Sequence, residues 1–343
     1  MDNKYQYAVY AQMKDEDNVI DQWINHYIGL GFEHCYIMND QSENLFSEKI
    51  KNHRHYDKIT LIDVDFTIAE YNSGDFVNSK LYNKIIWGGN KNAKQNYLLN
   101  TFKELYKNDI EWLLICDADE FLYLRDDCTI SQYIEKKLEK YPDMGQICFN
   151  WVNYGTSYHS YFPEGDLFEN FVLSEHKIHS YLKSIVNLNN ITQLSIHLSK
   201  LNGKSTYIPD KIDIIEINEF QKKYGKTNTP NYIILNPNDV NAFLAHYITL
   251  DCYTLIYRKL KRLRAGSHNE YRDNNLILYW INNINYMENH LMLKYSEHKN
   301  IKHLIPNKKL DINLYNKEND TNYKKLIDVV LHFYDNKTTL HYT

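Results

Sequence analysis

The chain has 343 residues, 43% hydrophobic and 24% charged, and a formal net charge of −5 from 39 basic and 44 acidic side chains. This is the composition of a soluble globular protein with material for one large α/β domain and an extension. The mild acidity excludes a generally basic nucleic-acid binder, and no apolar run approaches the ~20 residues of a membrane-spanning helix.

Tyrosine is frequent, 31 against 13 Phe, while Gly and Pro number only 11 and 6, a bias of an AT-rich genome rather than of a function. None of the five cysteines, Cys35, Cys116, Cys128, Cys148 and Cys252, belongs to a CxxC pair. Cys35, Cys116 and Cys148 lie in apolar runs, where Cys acts as a small hydrophobe; reduced thiols and a cytoplasmic setting are expected. The N-terminal "MDNKYQYAVYAQMKDED" has no signal-peptide core.

"YQYAVYAQM", residues 5–13, reads as a strand. A helix is predicted next, with Val19, Ile20, Trp23, Ile24, Tyr27 and Ile28 recurring at three and four, Asp15 or Asp17 as its cap, and Gly29 and Gly31 closing it. "HCYIMND" is a second strand, "NLFSEKIKNHRHY" a second helix and "KITLIDVD" a third strand. Strands and crossovers of this length predict a parallel sheet covered on both faces. A helix over about 92–108 leads into the strand "EWLLICDADEF"; "TISQYIEKKLEKYP" is a helix capped by Thr129 or Ser131, and "MGQICFNWVNYG" another strand. Residues 203–242 read as a polar excursion, and the last seventy or so have helical periodicity, as in "YKKLIDVVLHFY".

The stretch "WLLICDADEFLYL" sets Asp117, Asp119 and Glu120 at the end of an apolar run. Like charges so close are costly, so either they reach solvent or a cation sits among them. In extended backbone Asp117 and Asp119 point the same way, roughly 6.6 Å apart, and both can ligate one small cation only if the chain bends there. Mg²⁺ or Mn²⁺, keeping waters and taking substrate phosphate oxygens, suits such a pair. Haloacid-dehalogenase-type phosphatases also use an apolar strand ending in DxD, but on their first strand and with Thr or Val where this chain has Phe121. The Asp117/Asp119 cluster and the pair Asn39 and Asp40 both fall at carboxyl ends of strands, where α/β sheets bind ligands.

Five blocks, "MKDEDNVIDQWINHYIGLGFEHCYIMNDQSEN", "KQNYLLNTFKELYKNDIEWLLICDADEFLYL", "FNWVNYGTSYH", "LKSIV" and "HYITLDCYTLIYRKLKRLRAG", resemble in order the glycosyltransferases of family 92 and their family-2-like bacterial and viral relatives. The resemblance covers about residues 5–268. It implies a GT-A fold, here residues 1–268, with a helical C-terminal extension over 269–343. It also implies a nucleotide-sugar donor, a divalent metal at the DxD, inversion at the anomeric carbon, and a glycan or glycoconjugate acceptor. Animal members use UDP-galactose; UDP-galactose or UDP-glucose is the expectation here, in the host cytoplasm if the chain is viral. A non-catalytic carbohydrate-binding or scaffold protein on a degenerate fold is the alternative.

Residue by residue, the resemblance sets Met13, Lys14 and Asp15 beside the nucleotide, with Asp15 where Asn is frequent. Asn39, Asp40 and Ser42 fall near base and ribose, and Gln95 faces the nucleotide or solvent. Asp117 and Asp119 hold the metal, with His246 completing its shell or serving as a hydrogen-bonded structural residue. In "WVNYGTSYH" the chain keeps Trp151, Gly155, Ser157 and His159 but has Tyr154, Thr156 and Tyr158 where the family has Phe, Ser and Gly. Trp151 is a platform for a sugar ring or simply core, and Ser157 and His159 join it as substrate contacts. Glu169 is the candidate base, with Glu164 and His159 as rivals. Lys183 and Ser184 of "LKSIV" are set against the donor diphosphate, with His197 on the next segment. Leu250 stands where the family has Lys, a loss that Arg258, Lys261, Arg262 and Arg264 are placed to offset.

Overall fold

The computed structural model describes residues 4–74, 94–208, 215–216, 236–255, 280, 283–296 and 298–299. Arg258 to Arg264 and residues 301–343 lie outside the described residues. In chain order the elements begin β1 (Tyr5–Met13), α1 (Ile20–Gly29), β2 (His34–Asn39), α2 (Asn44–Lys51), β3 (Ile59–Asp63), α3 (Ile68–Ser73), α4 (Lys94–Tyr106), β4 (Ile110–Ile115) and β5 (Glu120–Leu124). They continue α5 (Ile130–Lys140), β6 (Met144–Asn153), α6 (Leu167–Asn170), β7 (Leu173–Ser174), β8 (Leu182–Asn187), β9 (Ile191–Gln193) and β10 (Lys200–Leu201). The last are β11 (Ser205–Tyr207), β12 (Ile215–Glu216), β13 (Ala242–His246) and β14 (Met287–Glu288).

The chain divides into two compact units. The first comprises Met1–Trp151, His179–Ile234 and Asp239–Leu244, and the second Val152–Ile178, Leu235–Asn238 and Ala245–Thr343.

The first unit is built on a ten-stranded sheet of order β12-β11-β6-β8-β4-β1-β2-β3, with β5 and β13 paired off this path. β3, β2, β1 and β4 run parallel, and β8 lies antiparallel between β4 and β6. This is the mixed α/β architecture, mostly parallel at its centre, expected of a GT-A fold. The central strands β2 and β4 are almost wholly buried, as covered parallel strands must be, and so read as continuous apolar runs. On α4, Tyr97, Leu98 and Phe102 join Tyr10, Tyr36, Leu113 and Ile115 in one core, and Thr101 is buried beside them on the helix.

The chain moves outward from β1 through β2 to β3, then returns to pair β4 on the other side of β1. The strand order therefore reverses at β1, and in open α/β sheets ligands bind beyond the carboxyl ends of the strands at such a reversal.

Two expectations change. Neither Asp15 nor Asp17 caps α1: the helix starts at Ile20, its N-cap residue Val19 makes no side-chain cap bond, and the Ile20 N–H donates to the Glu16 carbonyl. Asp15 has φ +48° and instead accepts the Glu43 N–H on Oδ1. The strand "EWLLICDADEF" is two strands, β4 and β5, separated by a turn at the carboxylates. The expected Thr129 cap is present on α5, in a capping box with Gln132.

In the second unit β7 pairs with β14, and the left-handed residues Ser157 and Tyr158, at φ +47° and +64°, form a tight turn. Tyr158 thus occupies a conformation suited to the Gly that the resemblance led one to expect there. Asn285 braces the turn: its Oδ1 accepts the Ser157 N–H and its amide donates to Thr156 Oγ1, both at 3.0 Å.

Candidate active site

Beyond β4 the backbone bends. The Glu120 N–H donates to the Asp117 carbonyl at 3.2 Å, and the Asp117 N–H donates to Glu120 Oε2 at 2.9 Å. The turn is closed from both ends, and the extended separation expected for Asp117 and Asp119 does not apply. Asp119 is buried, and Glu120 is completely so.

A cation does sit among these carboxylates, and the chain supplies it. β8 runs antiparallel to β4 with Leu114 opposite Ile185, which brings Lys183 level with the turn. Its ammonium lies 2.9 Å from Asp117 Oδ2 and 3.8 Å from Glu120 Oε2. Burial opposes the charged lysine, but the two carboxylates outweigh it and hold its pKa above the ordinary value. The Glu120 pKa is also raised: burial is the largest cause, Lys183 opposes the rise, and Asp117 and Asp119 add to it. Ser184 donates to the His197 carbonyl at 2.8 Å and is buried. His197 Nδ1 is 2.8 Å from the Leu182 carbonyl; burial and then the Lys183 charge lower its pKa to about 4, so the ring is neutral at pH 7.

A second acid–lysine pair stands at the end of β2. Lys94, buried at the start of α4, bonds Asp40 Oδ1 and donates to the Phe66 carbonyl at 2.7 Å. Burial lowers the Lys94 pKa, and Asp40 opposes that shift. Gln12 donates to the other Asp40 oxygen at 2.7 Å, and the Asp40 N–H donates to the Met13 carbonyl. Asn39 donates to Asp63 Oδ1 and Ser47 Oγ and accepts the Ser42 N–H, while Ser42 Oγ accepts the Asp15 N–H. The exposed Lys14 reaches the Gln41 carbonyl at 3.2 Å. These bonds lace together the ends of β1 and β2, where Met13, Lys14, Asp15, Asn39 and Asp40 were expected. Between the two pairs, on β1, stands Tyr10; burial, then the charges of Asp40 and Asp117, raise its pKa. Gln95 is half-buried on α4.

Trp151, at the far end of β6, is half-buried in a ring cluster. It stacks on Tyr181 with centroids 5.5 Å apart and lies 6.1 Å from both His179 and His197.

The remaining candidates lie in the second unit. Ser157 is buried and its Oγ accepts the Leu173 N–H at 2.9 Å. His159 Nε2 is 3.0 Å from the Asn170 carbonyl. Glu169 is buried and bonded by the Ser296 hydroxyl, whereas Glu164 is exposed. His246 is buried at the end of β13, its carbonyl accepting the Tyr154 N–H. Glu175, which sequence reasoning missed, accepts the Asn153 N–H on Oε1, and burial raises its pKa to about 7.

Glu120 and Lys94 were also missed as site residues. Lys94 had a signal: it occupies the same helical stripe as Tyr97, Leu98 and Thr101, and a lysine on a buried stripe requires a partner.

Among the described residues no group of three or more His, Cys, Asp and Glu is arranged to hold a metal ion by protein ligands alone. The Asp117 side chain is nevertheless 37% exposed and uses one oxygen on Lys183. Its second oxygen fits a metal that takes one or two carboxylates and fills its shell with water and substrate phosphate. Among the described residues no helix is long and apolar enough to cross a membrane.

The comparison with curated proteins finds no match. Among solved structures, the chain is similar to Staphylococcus aureus TarS residues 1–349 in complex with UDP-GlcNAc, at 11% identity and a TM-score of 0.28, over 43% of this chain and 35% of that one. For TarS 1–349 alone the values are 10% and 0.31, over 53% and 47%. For HddC from Yersinia pseudotuberculosis they are 8% and 0.26, over 54% and 77%. The chain thus spans less than half the length of these TarS chains. The sequence model of glycosyltransferase family 92 matches residues 9–325, nearly the whole chain, and the protein belongs to that family of glycosyltransferases.

Proposed function

We propose that the protein is an inverting, metal-dependent transferase of the GT-A type. It moves a hexose from a nucleotide sugar, a UDP-sugar such as UDP-galactose or UDP-glucose, to a hydroxyl of a glycan or glycoconjugate. The observation that carries this reading is the Asp117–Lys183 pair at the reversal of strand order, in a member of a glycosyltransferase family.

A nucleoside diphosphate leaves the donor with increased negative charge, and fixed positive charge in a partly dry site stabilises it. Lys183 supplies such a charge permanently, and its pairing with Asp117 aims that carboxylate. Asp117 and Asp119 are the residues that would hold Mn²⁺ or Mg²⁺, with His246 a further candidate ligand. The metal, when bound, adds positive charge at the leaving diphosphate. Met13, Lys14, Asp15, Asn39, Asp40 and Gln95 are assigned to the nucleotide, Ser184 to the diphosphate, and Trp151, Ser157 and His159 to sugar or acceptor.

The acceptor hydroxyl attacks the anomeric carbon as its proton passes to a base. Glu169 is the assigned base, with Glu164 and His159 as rivals. Glu169→Gln is expected to leave UDP affinity nearly intact and to lower turnover by roughly two to four orders of magnitude; full activity would move the role to a rival. The five free thiols suit a reducing, cytoplasmic setting. A panel of nucleotide sugars assayed for hydrolysis with Mn²⁺ and with EDTA tests the whole reading. Metal-dependent release of UDP from one donor is expected, and no hydrolysis of any donor would contradict it.

A further inference from the structure

We infer that Glu120 is a positioning residue for Asp117: it sets the geometry that the DxD carboxylate presents to its ligand, without touching the donor itself. The inference rests on the reading of Asp117 as the metal-side carboxylate.

Three hydrogen bonds and one longer ion-pair contact carry it. Glu120 Oε2 accepts the Asp117 N–H at 2.9 Å, which fixes the backbone from which the Asp117 side chain springs. The Glu120 N–H returns a bond to the Asp117 carbonyl at 3.2 Å, so the turn cannot open at one end alone. The same Oε2 lies 3.8 Å from the Lys183 ammonium, which bonds Asp117 Oδ2 at 2.9 Å. One carboxylate therefore reaches Asp117 twice, through its backbone and through the lysine that orients its side chain.

Glu120 is itself held from beneath. The Tyr27 hydroxyl of α1 donates to the Glu120 carbonyl at 2.9 Å, and His26 Nε2 is 3.0 Å from the Leu122 carbonyl, so α1 anchors the start of β5. A completely buried carboxylate serving only stability is a poor choice, because apolar residues of similar volume do as well or better. A carboxylate that dictates the aim of another has a reason to be there. Asp117 is 37% exposed while Glu120 and Lys183 are buried, so the supporting pair lies inside and the supported oxygen outside. Small errors of aim are expensive in such a site, where ligand groups must be held to about half an ångström.

Four proteins are compared: wild type, Glu120→Gln, Glu120→Asp and Glu120→Ala. Gln keeps an oxygen that accepts the Asp117 N–H; Asp keeps the charge but falls short by one methylene; Ala removes both. UDP is titrated calorimetrically with Mn²⁺ and with EDTA, and exchange of the Asp117 amide is followed in metal-free protein. Glu120→Gln is expected to keep amide protection and a Mn²⁺-dependent gain in affinity within about threefold of wild type. Glu120→Asp and Glu120→Ala are expected to lose that protection and at least about tenfold of the gain, with a smaller loss of affinity in EDTA. If Ala does not fold, Asp carries the test. A folded Glu120→Asp with wild-type gain and protection overturns the inference. Equal loss with and without metal also overturns it, as that is a general structural effect. If wild type itself shows no Mn²⁺-dependent gain, the metal reading fails and the inference falls with it.

Discussion

A lysine exposed by only 1% requires its charge to be matched, and Asp117 and Glu120 do that for Lys183. Removing one partner of a buried pair leaves the others uncompensated, at about 3–5 kcal/mol; the partial exposure of Asp117 favours the lower end. Lys183→Met is therefore expected to lose most turnover and also about 3 kcal/mol of stability by urea unfolding. Adding Glu120→Gln should recover part of the stability and none of the turnover; turnover at wild-type level in Lys183→Met would assign the lysine to structure. Glu175 makes a separate prediction. Its pKa rises from 4.5 to about 7, chiefly through burial. Between those values the folded protein binds more protons than the unfolded chain, so stability is full below pH 4.5 and lost as pH rises through about 7. Glu175→Gln, which mimics the protonated acid, should exceed wild type by about 1–2 kcal/mol at pH 8, after allowance for solvent screening, and match it near pH 4. Parallel stability curves against pH would refute this.

At the scale of elements, the turn after β6 has no room to spare. A Cβ on Gly155 would lie 2.2 Å from Asn285 Oδ1 and 3.0 Å from the Asn285 backbone nitrogen. Gly155→Ala must displace the Asn285 brace and is expected to cost about 1–3 kcal/mol, read as a lowered Tm. The strands were legible because buried parallel strands are apolar throughout: "YQYAVYAQM" is β1 to the residue. The cap of α5 was legible because Thr129 and Gln132 are local partners. The cap of α1 was misread because Asp15 is claimed by Glu43, 28 residues away, and the break between β4 and β5 because Glu120 bends the chain through a side-chain bond. The Lys183–Asp117 pair, 66 residues apart, depends on β8 lying beside β4, and no local pattern states which strands are neighbours. What the sequence did show was the alternative: Asp117, Asp119 and Glu120 after an apolar run must either reach solvent or gather a cation, and Asp117 does both.

At the scale of the molecule, the sheet returns through β1 and brings two acid–lysine pairs, Asp40–Lys94 and Asp117–Lys183, to the carboxyl ends of strands on either side of it. In each pair a buried lysine bonds the carboxylate, Lys94 to Asp40 and Lys183 to Asp117. Asp119→Ala is accordingly expected to fold and to lose Mn²⁺-dependent donor binding; full donor turnover in that variant would remove Asp119 from the metal site. The central claim is that this end of the sheet binds a nucleoside diphosphate together with a divalent metal. Isothermal titration of the wild-type protein with UDP, once with Mn²⁺ and once with EDTA, tests it most directly. The account predicts saturable binding of one UDP that weakens at least about tenfold, or about 1.4 kcal/mol, when the metal is removed. No UDP binding under either condition, with free sugars binding in its place, would contradict it.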